Sequence, residues 1–349
     1  MLYRFVSAPK TRLKVNPNKL YNHIMMKILV TGSAGHLGEA ILRTLQTQQS
    51  PPSDRIEAIG LDILPSPFTT VVGSLVDREL VKTSLRGIDA IIHTATLHKP
   101  HVATHSRQEF VDVNITGTLN LLEEAAAQGV RSFVYTSTTS IFGDALVPVA
   151  GEPAVWITED VKPIPKNIYG VTKTAAENLC ELFHRNQKLN CVVLRTSRFF
   201  PEIDDNPAMA ERYADSNIKL NEYLYRRVDI EDVVSAHLLA IEKAPSIGFD
   251  RLIISATTPF QQHDLTELST NAPLVLARYF PQYADIYAKH QWQMFPTIDR
   301  VYVNRRALQT LGWKPQHDFS SLLSNVTMDG DLRSPLARLT GKKGYHPAA

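Results

Sequence analysis

The sequence predicts an α/β fold with a doubly wound parallel sheet, and two observations lead to this prediction. Short runs rich in β-branched residues alternate with longer segments of helical periodicity, which is typical of successive βαβ units. The short runs are apolar throughout rather than at every second position, as expected for strands that are buried on both faces of a sheet. Helices are therefore expected to cover both sides of the sheet.

The predicted elements follow one another in a regular order. The strands are expected at 27–31, 56–61, 69–72, 89–95, 132–137 and 191–196, and the helices at 36–48, 77–85, 105–128 and 168–188. After Arg195 the alternation is interrupted by a polar, proline-containing stretch. It resumes with a helix that Asp229 can cap and with the strand "LIISA" at 252–256.

This interruption predicts a discontinuous second region over the carboxyl ends of the strands, where open α/β sheets bind their ligands. The first 25 residues are basic and contain no acid. We expect them to be a disordered leader or an extension upstream of a natural start at Met25 or Met26, with an organelle transit peptide as the alternative. The expected parts are a leader at 1–25, a dinucleotide-binding domain at 26–198 and 226–257, a smaller substrate-binding region at 199–225 and 258–335, and a tail at 336–349.

The composition narrows the class of partner. The 37 basic and 35 acidic residues leave a formal net charge of +2, a balance that argues against binding to nucleic acid or to an acidic membrane. No run of 18 apolar residues occurs, so no membrane-spanning helix is expected. Cys180 and Cys191 are too few for a disulfide framework and lack the spacing of a zinc site. We predict a small-molecule partner and a reducing, cytoplasmic location.

A glycine-rich loop, "TGSAGHLG" at 31–38, follows the first strand and opens the first helix. Gly32 and Gly35 would let the backbone approach a pyrophosphate at the helix N-terminus, and Gly38 would allow close packing of the helix on the strand. Asp62 ends the second strand, 24 residues beyond Gly38, where an acid that binds an adenosine ribose is expected. This pair predicts a Rossmann-type fold that binds NAD. NADP is disfavoured because the next residues, "IL", offer no cation for a 2′-phosphate.

Tyr169 and Lys173 lie four residues apart near the start of a predicted helix, so they share one face. A lysine beside a phenol favours the phenolate and is expected to lower the pKa of Tyr169 from about 10, which would make it a general acid or base. The stretch "FVYTSTTSIFGD" at 133–144 ends a strand in hydroxyl residues. A hydroxyl at this edge of the sheet can bind a substrate carbonyl or alcohol. Together these features predict a hydride-transfer site.

The ordered set "TGSAGHLG", Asp62, "DAIIHTAT", "VNITGTLNLLEEA", "YTSTTSIFG" and "YGVTK" resembles the extended short-chain dehydrogenase/reductases of the NAD-dependent epimerase/dehydratase family, over residues 26–256. The resemblance implies that Thr138 is the catalytic hydroxyl, that Asn114 organises the active-site helix and a water, and that Leu75 lies near the adenine. It also implies a homodimer formed by the helices at 105–128 and 168–188. The residues expected to contact NAD are Gly32, Ala34, Gly35, His36, Leu37, Gly38, Asp62, Leu75, Thr94, Ala95, Tyr169 and Lys173.

Departures from the family pattern bear on the reaction and the substrate. Related dehydratases carry Asp-Glu directly after the catalytic threonine, whereas this chain has Thr139 and Ser140. Related UDP-sugar epimerases usually carry an asparagine where Arg198 stands. Arg198 either binds a phosphate or carboxylate or forms an ion pair with the acids at 204–205. Arg226 is a further candidate for substrate phosphate.

Three histidines, His98, His101 and His105, lie close together in the loop after the fourth predicted strand. No cysteine or obvious carboxylate ligand accompanies them, so we expect no metal site and histidines that face solvent or substrate. His98 is taken as a candidate substrate contact.

The leading hypothesis from the sequence is an NAD-dependent oxidoreductase or epimerase that acts on a hydroxyl or ketone of a sugar or sugar nucleotide. The first alternative is an NAD(P)H-dependent carbonyl reductase or alcohol dehydrogenase of a small non-sugar substrate, since the same residues and cofactor serve both reactions. The second is a non-catalytic NAD-binding sensor, because a fold does not dictate a function.

Overall fold

The computed structural model describes residues 26–47, 56–203, 206–326 and 330–344. The strands are β1 Met26–Thr31, β2 Ile56–Asp62, β3 Val71–Val72, β4 Ala90–His93, β5 Ser132–Thr138, β6 Val155–Ile157, β7 Cys191–Thr196, β8 Phe249–Ile254 and β9 Arg300–Tyr302. Within the described ranges, seven of them form one parallel sheet in the order β3-β2-β1-β4-β5-β7-β8. The strand order reverses between β1 and β4, so the doubly wound parallel sheet is confirmed.

Helices connect successive strands of the sheet and continue beyond it. They are α1 His36–Thr47, α2 Arg78–Ser84, α3 Arg107–Val111, α4 Gly117–Ala127, α5 Ile168–Gln187, α6 Pro207–Arg212, α7 Asp215–Tyr223, α8 Ile230–Ile247, α9 Leu265–Tyr279, α10 Tyr283–His290, α11 Arg305–Leu311, α12 Phe319–Asn325 and α13 Pro335–Thr340. Asp229 caps α8 by accepting a hydrogen bond from the backbone of Glu231, as predicted.

The first strand shows why the apolar runs are continuous. Ile28 and Val30 lie in a core cluster that includes residues of α1 and α8. Leu29 points to the opposite face and packs with residues of α2, α4 and α5. Successive side chains of a strand alternate between faces, and here both faces are covered, so the consecutive positions 28–30 are all apolar.

The structure differs from the prediction in one helix and in two short strands. The helix expected at 105–128 consists of α3, a π-helical turn at Asp112–Thr116 and α4. The short strands β6 and β9 were not predicted and pair in a separate two-stranded sheet. Each has three residues, too few for a periodicity signal, and the pairing joins segments that are far apart in the sequence.

The helices α7, α9, α10 and α12 surround a second apolar core that includes Phe260, Leu268, Trp292 and Phe319. This core draws on both segments that were expected to form the substrate-binding region. The aromatic residues of those segments therefore pack largely against one another.

The prediction of a leader and a tail can be compared with the structure only in part. The leader at 1–25 lies outside the described residues. Residues 336–340, expected to belong to a tail, are helical, and Leu336 and Ala337 pack against the core beside α1 and α8. Of the helices that the structure describes, none is both long enough and apolar enough to cross a bilayer.

Candidate active site

Glycines at the end of β1 bring three segments into close contact. Gly32 has a φ of +75°, and a Cβ added there would lie 2.7 Å from the backbone nitrogen of Ala95. A Cβ on Gly38 would lie 2.0 Å from the carbonyl oxygen of Gly32. Larger residues at either position would push α1 or the loop after β4 away. The first turn of α1 consequently lies at the crevice between the carboxyl ends of β1 and β4.

The remaining residues of the loop position the start of α1. The N–H of Gly35 donates to the Gly32 carbonyl at 3.0 Å, and the N–H of Glu39 donates to the Gly35 carbonyl at 3.0 Å. His36 and Leu37 are buried in the first turn. Amides in a first turn have no acceptor within their own helix, and the helix dipole makes this end positive. The first turn of α1 is therefore suited to binding an anion.

Asp62 lies beside this loop at the end of β2. Its carboxylate accepts hydrogen bonds from the N–H of Ala34 and from the N–H of Leu64, both at 3.0 Å. The structure thus brings together the loop and the acid that the sequence paired. Asp62 is half-buried, which leaves part of the carboxylate accessible from the crevice.

The loop after β4 is tied to the end of β1. The Thr94 hydroxyl donates a hydrogen bond to the Thr31 carbonyl at 2.7 Å, and the N–H of Ala95 donates to the Thr31 hydroxyl at 3.4 Å. Leu75 is buried and packs in the core next to Gly117. Its predicted contact with adenine stays a prediction.

Tyr169, Lys173 and Thr138 meet where β5 ends and α5 begins. Asn167 caps α5 by accepting a hydrogen bond from the N–H of Gly170 at 3.1 Å. Tyr169 forms a side-chain hydrogen bond with Thr138. Both residues are buried, with 8% and 9% of their surfaces exposed. The tyrosine and threonine that were expected to share a substrate oxygen therefore lie side by side.

The predicted effect of Lys173 on Tyr169 is wrong for this structure. The ammonium of Lys173 donates to the Thr136 carbonyl at 2.6 Å and lies 4.2 Å from the ring centre of Tyr135. Burial raises the pKa of Tyr169 to about 12, although its hydrogen bond with Thr138 acts in the opposite direction. Desolvation opposes the charged phenolate, and here it outweighs the contribution of Thr138.

Burial acts on Lys173 as well. It lowers the pKa of this lysine to about 7, while the negative charge of Glu177 partly offsets the shift. A buried ammonium is disfavoured because it loses its hydration. Lys173 therefore changes its charge near neutral pH, and Tyr169 stays protonated there.

Asn114 connects the loop after β4 with the first turn of α5. It lies in the π-helical turn, a feature that is frequent at functional sites. Its amide donates to the Leu97 carbonyl and to the Thr172 hydroxyl, while its oxygen accepts from the Leu97 N–H and the Thr96 hydroxyl, at 2.8–3.0 Å. Three of these bonds reach the loop after β4 and one reaches α5. The role of Asn114 in organising the helix and a water stays a prediction.

His93 is buried at the end of β4 between two threonines. The Thr118 hydroxyl donates to the Asn114 carbonyl at 2.7 Å, so it accepts from Nε2 of His93 at 2.9 Å. Nδ1 of His93 then accepts from the Thr31 hydroxyl at 2.7 Å. This chain of bonds requires a neutral imidazole. Burial, with the charge of Lys173, lowers the pKa of His93 to about 3.

A second neutral histidine, His237, lies in α8, and burial lowers its pKa to about 4. In the unfolded chain both histidines would take up a proton below about pH 6.5. Acid therefore favours unfolding between pH 6.5 and these lower values, by about 2 kcal/mol for each histidine at pH 5.

We expect urea denaturation to show a lower free energy of unfolding at pH 5 than at pH 7. His237→Asn should show a smaller difference between the two pH values, and an unchanged difference would contradict this assignment.

The candidate substrate arginines gather around one carboxylate. Arg198 and Arg226 donate to Oε1 of Glu222 at 3.0 and 2.7 Å, and Arg227 donates to Oε2 at 2.8 Å. Burial alone would raise the pKa of Glu222, but the arginine charges lower it to about 2. Among the described residues, three guanidinium groups thus surround one ionised carboxylate. The alternative partners of Arg198 at 204–205 lie outside the described residues.

His98 lies in the loop after β4. Its ring stacks on His101 with centroids 4.4 Å apart, and it also contacts the ring of Phe200 at 5.5 Å. His101 also contacts His105 edge to face at 4.9 Å. The predicted substrate-side histidine is therefore close to the glycine loop, while Arg198 and Arg226 lie beyond the end of β7.

Comparison with protein families decides the assignment. The model of the NAD dependent epimerase/dehydratase family matches residues 28–249, which is more than half of the chain. The chain belongs to this family. The match covers the glycine loop, the π-helical turn and the tyrosine-lysine pair.

Curated proteins with different activities are similar to this chain. A 3-beta-hydroxysteroid dehydrogenase of Mycolicibacterium neoaurum is 32% identical over 161 residues, 43% of this chain and 41% of that protein. A UDP-glucose 4-epimerase of Erwinia amylovora is 29% identical over 187 residues, 49% of this chain and 52% of that protein. The chain thus spans about half the length of these curated relatives.

A solved structure supports the fold over a longer range. A short-chain dehydrogenase/reductase superfamily protein from Agrobacterium tumefaciens, crystallised with bound NAD, has a TM-score of 0.61 and 24% identity. The likeness covers 87% of this chain and 96% of that one. It extends beyond the family match into the region that carries the second core.

Three glutamates of this family member were not singled out from the sequence. Glu177 lies four residues after Lys173, and this helical spacing could have identified it. Glu202 lies in the loop after β7, and Glu222 lies at the end of α7. The partner of Glu202, His36, comes from a distant part of the sequence, so no local pattern indicates Glu202. Glu222 lies four residues before Arg226, and this helical spacing could have indicated the pair.

Proposed function

We propose that this protein is an enzyme that binds NAD and carries out tyrosine-assisted hydride transfer at a hydroxyl or ketone of a sugar nucleotide. The observation that carries the proposal is the side-by-side placement of Tyr169 and Thr138, with Lys173 one helical turn away, next to the glycine-loop crevice. The family assignment supports it. The similarity to a UDP-glucose 4-epimerase supports the choice of substrate class.

The crevice has the features that a dinucleotide requires. Gly32 and Gly38 stand where any Cβ would collide with backbone atoms, which keeps the loop and the start of α1 close together. The backbone of residues 34–38 would hold the pyrophosphate, and Asp62 would bind the adenosine ribose. Bound NAD would supply the acceptor for a hydride from the substrate carbon. The relative crystallised with NAD supports this choice of cofactor.

The residues of the chain have distinct roles in the proposed reaction. Because the pKa of Tyr169 is about 12, its phenol is protonated at neutral pH and can donate a proton to a carbonyl oxygen. In the opposite direction, its phenolate must accept the proton of a substrate hydroxyl, and protonated Lys173 would favour that phenolate. The Thr138 hydroxyl, next to Tyr169, would hold the same oxygen.

The residues after the catalytic hydroxyl favour oxidation, reduction or epimerisation over dehydration. Thr139 and Ser140 follow Thr138 and carry no carboxylate that could remove a proton from carbon. A redox-neutral epimerisation needs no group beyond those already named. We propose that His98, Arg198 and Arg226 contact the substrate, since a guanidinium group can bind a phosphate through two hydrogen bonds.

A dehydrogenase or reductase of a non-sugar substrate is the second candidate. It is supported by the similarity to the 3-beta-hydroxysteroid dehydrogenase. A non-catalytic NAD-binding protein fits less well, because it gives no reason for a buried tyrosine, threonine and lysine to meet at this point.

A homodimer is proposed on the resemblance to the family. The helices α4 and α5, expected to form the interface, line a surface groove with Glu123, Ala126 and Phe183. A cytoplasmic location is proposed because Cys180 and Cys191 are buried free thiols that contact each other, as a reducing compartment would maintain them.

The first test is binding of NADH and NADPH, measured by fluorescence, followed by a panel of nucleotide sugars. The protein should bind NADH more tightly than NADPH. Asp62→Asn should weaken NADH binding about tenfold, because it removes a charged acceptor of ribose hydrogen bonds. It should also reduce the preference over NADPH. Equal binding of both dinucleotides by the unaltered protein would contradict the role of Asp62.

A further inference from the structure

The loop after β7 reaches back across the sheet to the crevice between β1 and β4. Residues 199–203 follow β7, and β5 separates that strand from β4. Nevertheless, the ring of Phe200 meets His36, the first residue of α1, at a centroid distance of 5.4 Å. On its other side it meets His98, from the loop after β4, at 5.5 Å. Phe200 therefore bridges the two loops between which a dinucleotide would pass.

Glu202 attaches this loop to the start of α1. Its Oε1 lies 3.0 Å from Nε2 of His36, and the pair is largely buried, with 10% and 1% of the two side chains exposed. Burial alone would raise the pKa of Glu202, but the hydrogen bond and charge of His36 lower it to about 2. The carboxylate is thus ionised at any working pH and is held at the positive end of α1.

The C-terminal segment fastens the same loop from outside. The N–H of Lys343 donates to Oε1 of Glu202 at 3.2 Å, and the ammonium of Lys343 pairs with Glu39 of α1. Nine residues earlier in the same segment, the Ser334 hydroxyl donates a hydrogen bond to the carboxylate of Asp229, the cap of α8, at 2.6 Å. One residue, Lys343, therefore joins the loop and α1 to the end of the chain.

The loop backs onto a small cavity of about 40 Å³. Its walls include Phe199, Pro201 and the C-terminal residues Leu332, Ala337 and Gly341. The packing behind the loop is therefore less close than in the interior of the sheet, while the contacts described above hold the loop over the crevice.

We propose that residues 199–203 form a cover over the dinucleotide crevice, latched by the contacts of Glu202 with His36 and Lys343, and that release of this latch limits how fast the dinucleotide enters and leaves. The proposal rests on the proposed function. Slow exchange would favour a reaction in which the hydride removed from one substrate molecule returns to the same molecule, because the reduced dinucleotide would stay in place until then. The cover therefore favours epimerisation over net oxidation.

The test is stopped-flow fluorescence of NADH binding to the full chain and to three variants. Phe200→Ala, Glu202→Gln and Lys343→Ala should each raise both the association and the dissociation rate constants, by about tenfold for Glu202→Gln. Both rate constants should rise because opening of the cover would limit entry and exit of NADH alike. Loss of an ordinary contact with bound NADH would raise the dissociation rate constant alone.

Lys314→Ala is the matched control for Lys343→Ala, because Lys314 is exposed after α11 and both changes remove one lysine side chain. It should leave both rate constants unchanged. Unchanged rate constants in all three cover variants, or a rise in dissociation alone, would overturn the cover and leave NAD binding intact. Failure of the unaltered protein to bind NADH would overturn the proposed function instead. Glu202→Gln, which keeps the size of the side chain, and Lys343→Ala keep the test valid if Phe200→Ala does not fold.

Discussion

Replacing Tyr169 with phenylalanine should lower kcat by about a thousandfold, because it removes the group that exchanges a proton with the substrate oxygen. The ring would keep its place at the start of α5, where 8% of Tyr169 is exposed. Binding of NADH should change by less than about threefold, since the phenol proton is needed in the transition state rather than for cofactor binding. The measurement is turnover on the nucleotide sugar that the panel identifies, with NADH binding determined on the same preparation.

Tyr302→Phe is the matched control for Tyr169→Phe. Tyr302 is also a buried tyrosine, with 5% exposed, but it lies in β9 within another apolar cluster. Its variant should retain normal turnover. Normal turnover in Tyr169→Phe would contradict the proposed mechanism, whereas lost turnover in both variants would show only that buried phenol hydroxyls support the fold.

Replacing Glu177 with alanine should lower the free energy of unfolding by about 3–5 kcal/mol, because it leaves buried charges and hydroxyls without their partner. Glu177 accepts from the Ser137 hydroxyl at 2.6 Å and from Nη2 of Arg195 at 2.8 Å, and Arg251 donates to it at 3.2 Å. These partners lie in β5, β7 and β8. The carboxylate thus connects α5, which carries Tyr169 and Lys173, with three strands of the sheet.

Glu181→Ala provides the comparison within the same helix. Glu181 lies one turn further along α5, is 38% exposed and pairs with Arg251 at 2.7 Å. Exposed ion pairs contribute little, so we expect a loss of no more than about 1 kcal/mol. Urea denaturation measures both variants. Similar losses for the two glutamates would refute the idea that burial makes Glu177 the important member of this network.

Much of the nucleotide-binding half could be predicted because its signals are short-range. The alternation of strands and helices, the spacing of Gly32, Gly35 and Gly38, and the position of Asp62 all depend on neighbours within a few dozen residues. The hydrogen bond from Ala34 to Asp62 agrees with that pairing. Tyr169 and Lys173 were placed on one helical face for the same reason.

Other features could not be read from local patterns. The strands β6 and β9 are too short to show a period, and their pairing depends on the packing of two distant segments. The three arginines around Glu222 come from two connecting segments on either side of α7. No spacing rule relates Arg198 to Glu222, and only the i,i+4 spacing of Glu222 and Arg226 could have pointed to this carboxylate.

What the sequence determined by itself was the α/β architecture, the glycine loop with its acid, and the position of Tyr169 and Lys173 on one helical face, because periodicity and spacing act along the chain. Thr138 was indicated only by the resemblance to the family. Only the tertiary structure decided the protonation of these groups and the position of Phe200 over the crevice. Burial raises the pKa of Tyr169 to about 12 and lowers that of Lys173 to about 7, and desolvation depends on every segment packed around a group. The contact of Phe200 with His36 and His98 likewise exists only because the sheet places the ends of β1, β4 and β7 along one edge.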